Sequence, residues 1–145
     1  MAAVETGLSV DYLKAIMGTW AMDSGQSKFS AATVPQSITR TYEPEGNGYK
    51  LTFEQVTAEG VQDAWEYTAD YDGKDYPVSG TDEVDTIALS KVGERMTLGI
   101  FKKDGQEVAL YNRGMSADGK AMTIITAGVN AKGDAYYDVT VYQKQ

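Results

Sequence analysis

Tyr49-Lys50-Leu51-Thr52-Phe53-Glu54-Gln55 and Asp63-Ala64-Trp65-Glu66-Tyr67-Thr68-Ala69, joined through Ala58-Glu59-Gly60, decide how this chain reads. In both runs large apolar or aromatic residues alternate with polar ones, the two-residue period of a half-buried strand. A three-residue loop with Gly60 left-handed predicts that Gln55 faces Asp63, Phe53 faces Trp65, Leu51 faces Tyr67 and Tyr49 faces Ala69. Turn chemistry and strand pattern then agree, as they must in a hairpin that specifies itself.

Similar punctuation continues outward. Turn signals recur at Pro44–Asn47, Asp72–Lys74, Gly93-Glu94, Lys103–Gly105, Ala117–Gly119 and Ala131–Gly133, with no long helical pattern between them. After Gly18 the chain therefore predicts an antiparallel meander of about nine or ten strands. Taking Gly93-Glu94 as a two-residue turn sets Leu89 opposite Leu98 and Ile87 opposite Ile100. Three-residue loops at Lys103–Gly105 and Ala117–Gly119 set Leu98 opposite Leu110 and Met96 opposite Asn112, then Asn112 opposite Ile124. On this register Leu98, Leu110 and Asn112 point inward, while Phe101, Tyr111, Ile125 and Tyr142 point outward. The last hairpin is divided. A three-residue loop turns Tyr136, Asp138 and Thr140 inward; a four-residue loop turns Tyr137, Val139 and Val141 inward, and the apolar pattern favours the second.

A sheet apolar on one face must cover that face, and no second layer of helices is available here. Closing on itself is the economical solution, with a two-sheet sandwich as the alternative. Residues 9–17 predict one short helix: Ser9 can cap it, Val10, Leu13, Ile16 and Met17 share a face, and Gly18 stops it. The expectation is one all-β domain over 1–145, an antiparallel up-and-down β-barrel at 18–143 with the helix at 9–17 plugging one end.

Composition removes whole classes of function. The chain of 145 residues carries 13 basic against 21 acidic side chains, a formal charge of −8, which opposes nucleic-acid binding and adhesion to an anionic membrane. It has neither cysteine nor histidine, so disulfides, thiolate chemistry, a Ser-His dyad and the commonest zinc ligands are all absent. The acidic groups Asp82-Glu83-Asp85 and Asp70-Asp72-Asp75 lack the spacing of a calcium loop, and no metal or other cofactor is expected. Met1-Ala-Ala-Val-Glu5 has no export-signal character and no run is long enough to span a bilayer, so a cytoplasmic protein is expected.

Gly18-Thr19-Trp20, following the short helix and opening the first strand, resembles the Gly-x-Trp signature of the lipocalin and fatty-acid-binding superfamily. More of the chain, through Gln26–Phe29, Thr41–Pro44, Tyr67–Val78 and Lys102–Gly105, resembles small bacterial lipocalin-like proteins of mostly unassigned function. That resemblance implies the calycin-type barrel, with the tryptophan at its closed end. It supplies no catalytic motif.

In such a barrel the lining is aromatic and aliphatic, and the polar intruders are the informative positions. Tyr42, Tyr49, Phe53, Gln55, Trp65, Leu98, Leu110 and Asn112 are the expected ligand contacts, with Phe29 anchoring the Ser24–Gln36 connection as a lid. Arg40 sits between Ile38 and Tyr42 on an inward face and needs an anionic partner, from the protein or from a guest. Two functions stay open. One is binding of a small hydrophobic or aromatic molecule. The other is a cofactor-independent cyclase, isomerase or lyase with Arg40 and Tyr67 stabilising charge and Asp63 as a base. An outer apolar patch would make a homodimer of what is otherwise a monomer.

Overall fold

The computed structural model describes residues 14–30 and 33–145. Its strands are β1 (Gly18–Met22), β2 (Lys28–Phe29), β3 (Ser37–Glu45), β4 (Gly48–Val56), β5 (Gln62–Ala69), β6 (Tyr76–Ser79), β7 (Thr86–Val92), β8 (Met96–Lys103), β9 (Gln106–Met115), β10 (Ala121–Val129) and β11 (Ala135–Lys144). All pairings are antiparallel, and β1 bonds both β3 and β11, which closes the sheet into a barrel. The two-residue β2 continues along β11 where β1 leaves off, with Phe29 opposite Asp138. Ten strands thus complete the circuit and β2 patches its rim.

The deciding hairpin folds as its alternation predicts. Gln55 pairs with Asp63, Phe53 with Trp65, Leu51 with Tyr67 and Tyr49 with Ala69, and Gly60 is left-handed at φ 88°. Trp20, Tyr42, Tyr49, Leu51, Ile87, Leu89 and Met122 are buried at the inward positions and make the core.

From β8 onward the facing differs from the sequence expectation. The β7–β8 loop has three residues, because Val92 rather than Lys91 pairs with Met96. The β8–β9 turn is the two-residue Asp104-Gly105, both with positive φ, and the bulge beside it at Phe101/Lys102 compensates, so this hairpin passes the new facing of β8 on to β9. The β9–β10 loop gains a residue, with the Ser116 amide bonding the Ala121 carbonyl, so Ile124 pairs with Arg113 and not with Asn112. One residue of slip exchanges the two faces of a strand. Thr97, Gly99, Phe101, Ala109, Tyr111 and Arg113 therefore point inward. Leu98, Leu110 and Asn112 point outward, and Leu110 is 47% exposed. In the last hairpin the shorter loop prevails: Asp138 pairs with Thr126, Thr140 with Ile124 and Tyr142 with Met122, and these face inward. Of the four residues expected outside, only Ile125 is there; Phe101, Tyr111 and Tyr142 are buried.

The outer apolar surface belongs instead to Leu98, Ile100, Leu110, Ile125 and Val139, neighbours across β8 to β11. The expected helix over 9–17 lies mostly outside the described residues, of which Lys14 and Ala15 alone are helical. Residues 14–17 make a single turn, with the Met17 amide bonding the Lys14 carbonyl at 3.2 Å. No described helix is long and apolar enough to cross a membrane.

Gly99 shows what the inward face of β8 requires. A Cβ there would run into the Tyr111 ring on the neighbouring strand. Gly99→Ala is accordingly expected to cost about 1–3 kcal/mol of stability by overpacking, read as a lower thermal midpoint; an unchanged midpoint would refute the close approach.

Candidate functional site

The two ends of the barrel differ in how they are sealed. At the closed end Trp20 Nε1 donates to the Ile16 carbonyl at 2.9 Å, and Lys144 Nζ donates to Ala15 O at 3.1 Å while lying over the Trp20 ring. Above this plug a layer of phenols fills the barrel. The hydroxyls of Tyr49 and Tyr67 lie 2.8 Å apart, with the Tyr111 hydroxyl 3.4 and 3.2 Å from them. Arg113 runs into this layer, wholly buried, and donates to the hydroxyls of Tyr49, Tyr71 and Thr97 at 2.9, 2.8 and 3.0 Å. A residue this polar is tolerated inside only because its donors are used.

Toward the other end the interior empties into a cavity of about 420 Å³, a size suited to one small ligand. Phe53 and Trp65, stacked at 4.5 Å, form one wall, and Phe101, Tyr111, Ile124 and Tyr142 form others. Phe29 of β2 lies at its mouth together with Pro35. A shallower depression on the outside of β3–β5, lined by Thr39, Glu54 and Gln62 among others, is open to solvent and mainly polar in its side chains.

Arg40 reaches the cavity wall from β3 and is only 6% exposed. Its Nε donates to the Tyr42 hydroxyl at 2.9 Å, and the guanidinium lies 5.6–5.7 Å from the ring centres of Tyr42, Phe53 and Tyr142. Among the described residues it forms no ion pair; its one short hydrogen bond is the Nε donation to Tyr42, and it also interacts with the Tyr142 hydroxyl at the cavity wall. Burial opposes the charge, but the phenols of Tyr42, Tyr142 and Tyr67 outweigh it and hold the guanidinium protonated.

Of the residues singled out from sequence, Phe29, Arg40, Phe53, Gln55, Asp63 and Trp65 all line this cavity. Tyr42, Tyr49 and Tyr67 lie beneath it as floor. Leu98, Leu110 and Asn112 do not reach it, for the register reason given above; the Asn112 Oδ1 is buried on the outer side without a hydrogen-bond partner. The suggested catalytic set is not gathered at one point. Asp63 is exposed at the rim, where Gln55 Nε2 donates to it at 3.0 Å, while Tyr67 is engaged with the other phenols below. Sequence reasoning missed Phe101, Tyr111, Arg113, Asp138, Thr140 and Tyr142. The facing of Arg113 is set by the β7–β8 loop, where three residues instead of two bring Val92 opposite Met96 and turn Thr97, and with it Arg113 opposite on β9, inward. Among the described residues no three carboxylates gather as a metal site would need.

The floor has an unusual electrostatic pattern. Burial raises the Tyr42 phenol, yet Arg40 and Arg113 on either side outweigh burial and bring it below the ordinary value. Burial and then neighbouring phenols push Tyr67 and Tyr111 well above theirs. A group whose folded pKa is raised contributes stability below its unfolded value, about 10 for tyrosine, and loses it as pH climbs further. A lowered Tyr42 acts in the opposite sense and offsets part of that alkaline loss. Tyr42→Phe is therefore expected to delete the earliest buried tyrosinate absorbance step and to steepen unfolding above about pH 10. A first step that survives in the variant would refute the assignment.

No protein-family model matches the chain, and no curated protein sequence does. Among solved structures, zebrafish ileal bile acid-binding protein, crystallised with cholic acid, matches with a TM-score of 0.52 at 11% identity, over 90% of this chain and 99% of its own. That neighbour is a fish protein, so nothing found supports the bacterial grouping suggested by the motifs. What the likeness establishes is the architecture: this chain folds as an all-β, calycin-like antiparallel barrel of ten strands.

Proposed function

We propose that the chain binds one small amphipathic molecule inside the barrel, with an apolar or aromatic body between Phe53, Trp65, Phe101 and Ile124 and an anionic group on Arg40. The carrying observation is the guanidinium itself: 6% exposed, at the wall of a 420 Å³ cavity, with phenols and no carboxylate as its partners among the described residues. A buried cation in this state is satisfied best by an incoming anion. The neighbouring barrel that holds cholic acid supports a ligand of this general kind. Phe29 and the chain around it serve as the lid. Cofactor-independent catalysis has less support, because its base, Asp63, is exposed at the rim and its charge-stabilising hydroxyl, Tyr67, lies in the floor.

The test is titration with dodecanoate and with anilinonaphthalene sulfonate, followed by quenching of Trp65 and by calorimetry. Saturable one-to-one binding that is abolished in Thr126→Trp, which fills the cavity, supports the proposal. Binding that ignores this substitution overturns it.

A further inference from the structure

Resting on that binding proposal, we infer that the preferred guest is a zwitterion, with an acid for Arg40 and a cationic amine at its far end. Three carboxylates line the same cavity as Arg40, each from a different element. Asp63 is the second residue of β5, Glu83 lies in the β6–β7 connection and Asp138 comes from β11. Arg40 is the sole lysine or arginine among the lining residues. The described lysine ion pairs, Lys50–Glu66, Lys102–Asp75 and Lys103–Asp85, neutralise other carboxylates. The rim groups are held in place: Gln55 donates to Asp63, and the Ser30 amide donates to Asp138 Oδ1 at 3.1 Å.

A simple acid must pass these carboxylates, and the net charge of −8 repels it at longer range. An amine left at the mouth converts the same charges into attraction. It also meets aromatic faces there, since Phe29 and Tyr136 both line the opening. Burial and then the charges of Asp138 and Glu83 push the Tyr136 phenol up, in keeping with both carboxylates lying near that ring.

The sheet sets the spacing. Arg40 pairs with Phe53 and Phe53 with Trp65, and Asp63 is two residues further toward the mouth. Two strand spacings across and two residues along give about 12 Å between these positions, so acid and amine should lie on the order of 10–15 Å apart.

Dodecanoate, ω-aminododecanoate and dodecylammonium form a probe series that isolates each end. The expected result is that ω-aminododecanoate binds roughly tenfold more tightly than dodecanoate at low salt, and that the preference shrinks to about twofold in the triple variant Asp63→Asn, Glu83→Gln, Asp138→Asn. Equal affinity for the two acids, or a preference that survives the triple variant, overturns the inference while leaving the binding proposal standing. Two acids that both bind as well to Arg40→Met as to the native protein would instead bring down the proposal beneath it.

Discussion

Replacing Arg113 by methionine is expected to lower the unfolding free energy by about 3–5 kcal/mol, and the thermal midpoint by roughly 10 °C or more. The side chain is wholly buried and bonds three hydroxyls, Tyr49 on β4, Thr97 on β8 and Tyr71 just past β5. It also packs 5.1 Å from the ring centres of both Tyr42 and Tyr49. Methionine fills most of the volume but donates nothing, so the hydroxyl oxygens keep their burial and lose their strongest donor. The Tyr49 hydroxyl retains Tyr67 as a partner at 2.8 Å, so its share of the loss is the smaller. Arg113→Lys keeps the charge yet replaces a planar fork by a single ammonium, and is expected to recover less than half of the difference. Urea unfolding followed by circular dichroism measures both. A methionine variant within about 1 kcal/mol of the native protein would show that the tyrosine layer stands without its guanidinium.

Arg113 is also where the limits of sequence reading are clearest. The hairpin of β4 and β5 is legible residue by residue, because Gly60 can adopt the required left-handed turn and both strands alternate cleanly. The sealing of one end by Trp20 and the opening of the other near Ala58–Gly60 follow from the same register. Beyond β7 the alternation itself misleads. Met96, Leu98 and Ile100 are more apolar than Thr97, Gly99 and Phe101, yet it is the second set that faces the core. Hydrophobicity alone assigns the faces wrongly here for a physical reason. The interior carries a hydrogen-bonded Arg–Tyr–Thr network and needs the small Gly99 beneath Tyr111, while the exterior of β8 to β11 carries an apolar surface. Local pattern and global fold disagree where the site is built, and the length of the β7–β8 loop, three residues where Gly93-Glu94 suggests two, decides between them. Arg40 lies on β3, before this disagreement begins, and is placed correctly by its neighbours Ile38 and Tyr42.

Arg40→Met separates binding from stability in the opposite sense. Arg40 makes one short hydrogen bond, to Tyr42, and a weaker contact with the Tyr142 phenol, and has no carboxylate partner among the described residues, so its loss disturbs fewer hydroxyls than the loss of Arg113. The Tyr42 hydroxyl keeps the Met122 sulfur as an acceptor at 3.7 Å. Exchanging an incompletely satisfied buried cation for an apolar side chain of similar length is expected to change stability by less than about 1 kcal/mol, or to raise it. Affinity for an anionic amphiphile should behave differently. A charge-assisted contact contributes about 1.5–3 kcal/mol, so dodecanoate should bind roughly 10- to 150-fold more weakly. A neutral guest of the same length, dodecanol, should lose little. If dodecanoate and dodecanol weaken together, Arg40 shapes the cavity and does not read charge. If only the acid weakens and the fold persists, the barrel keeps a guanidinium without a carboxylate because its guest supplies the counterion, and the two buried arginines divide the work: one holds the floor, the other recognises what rests above it.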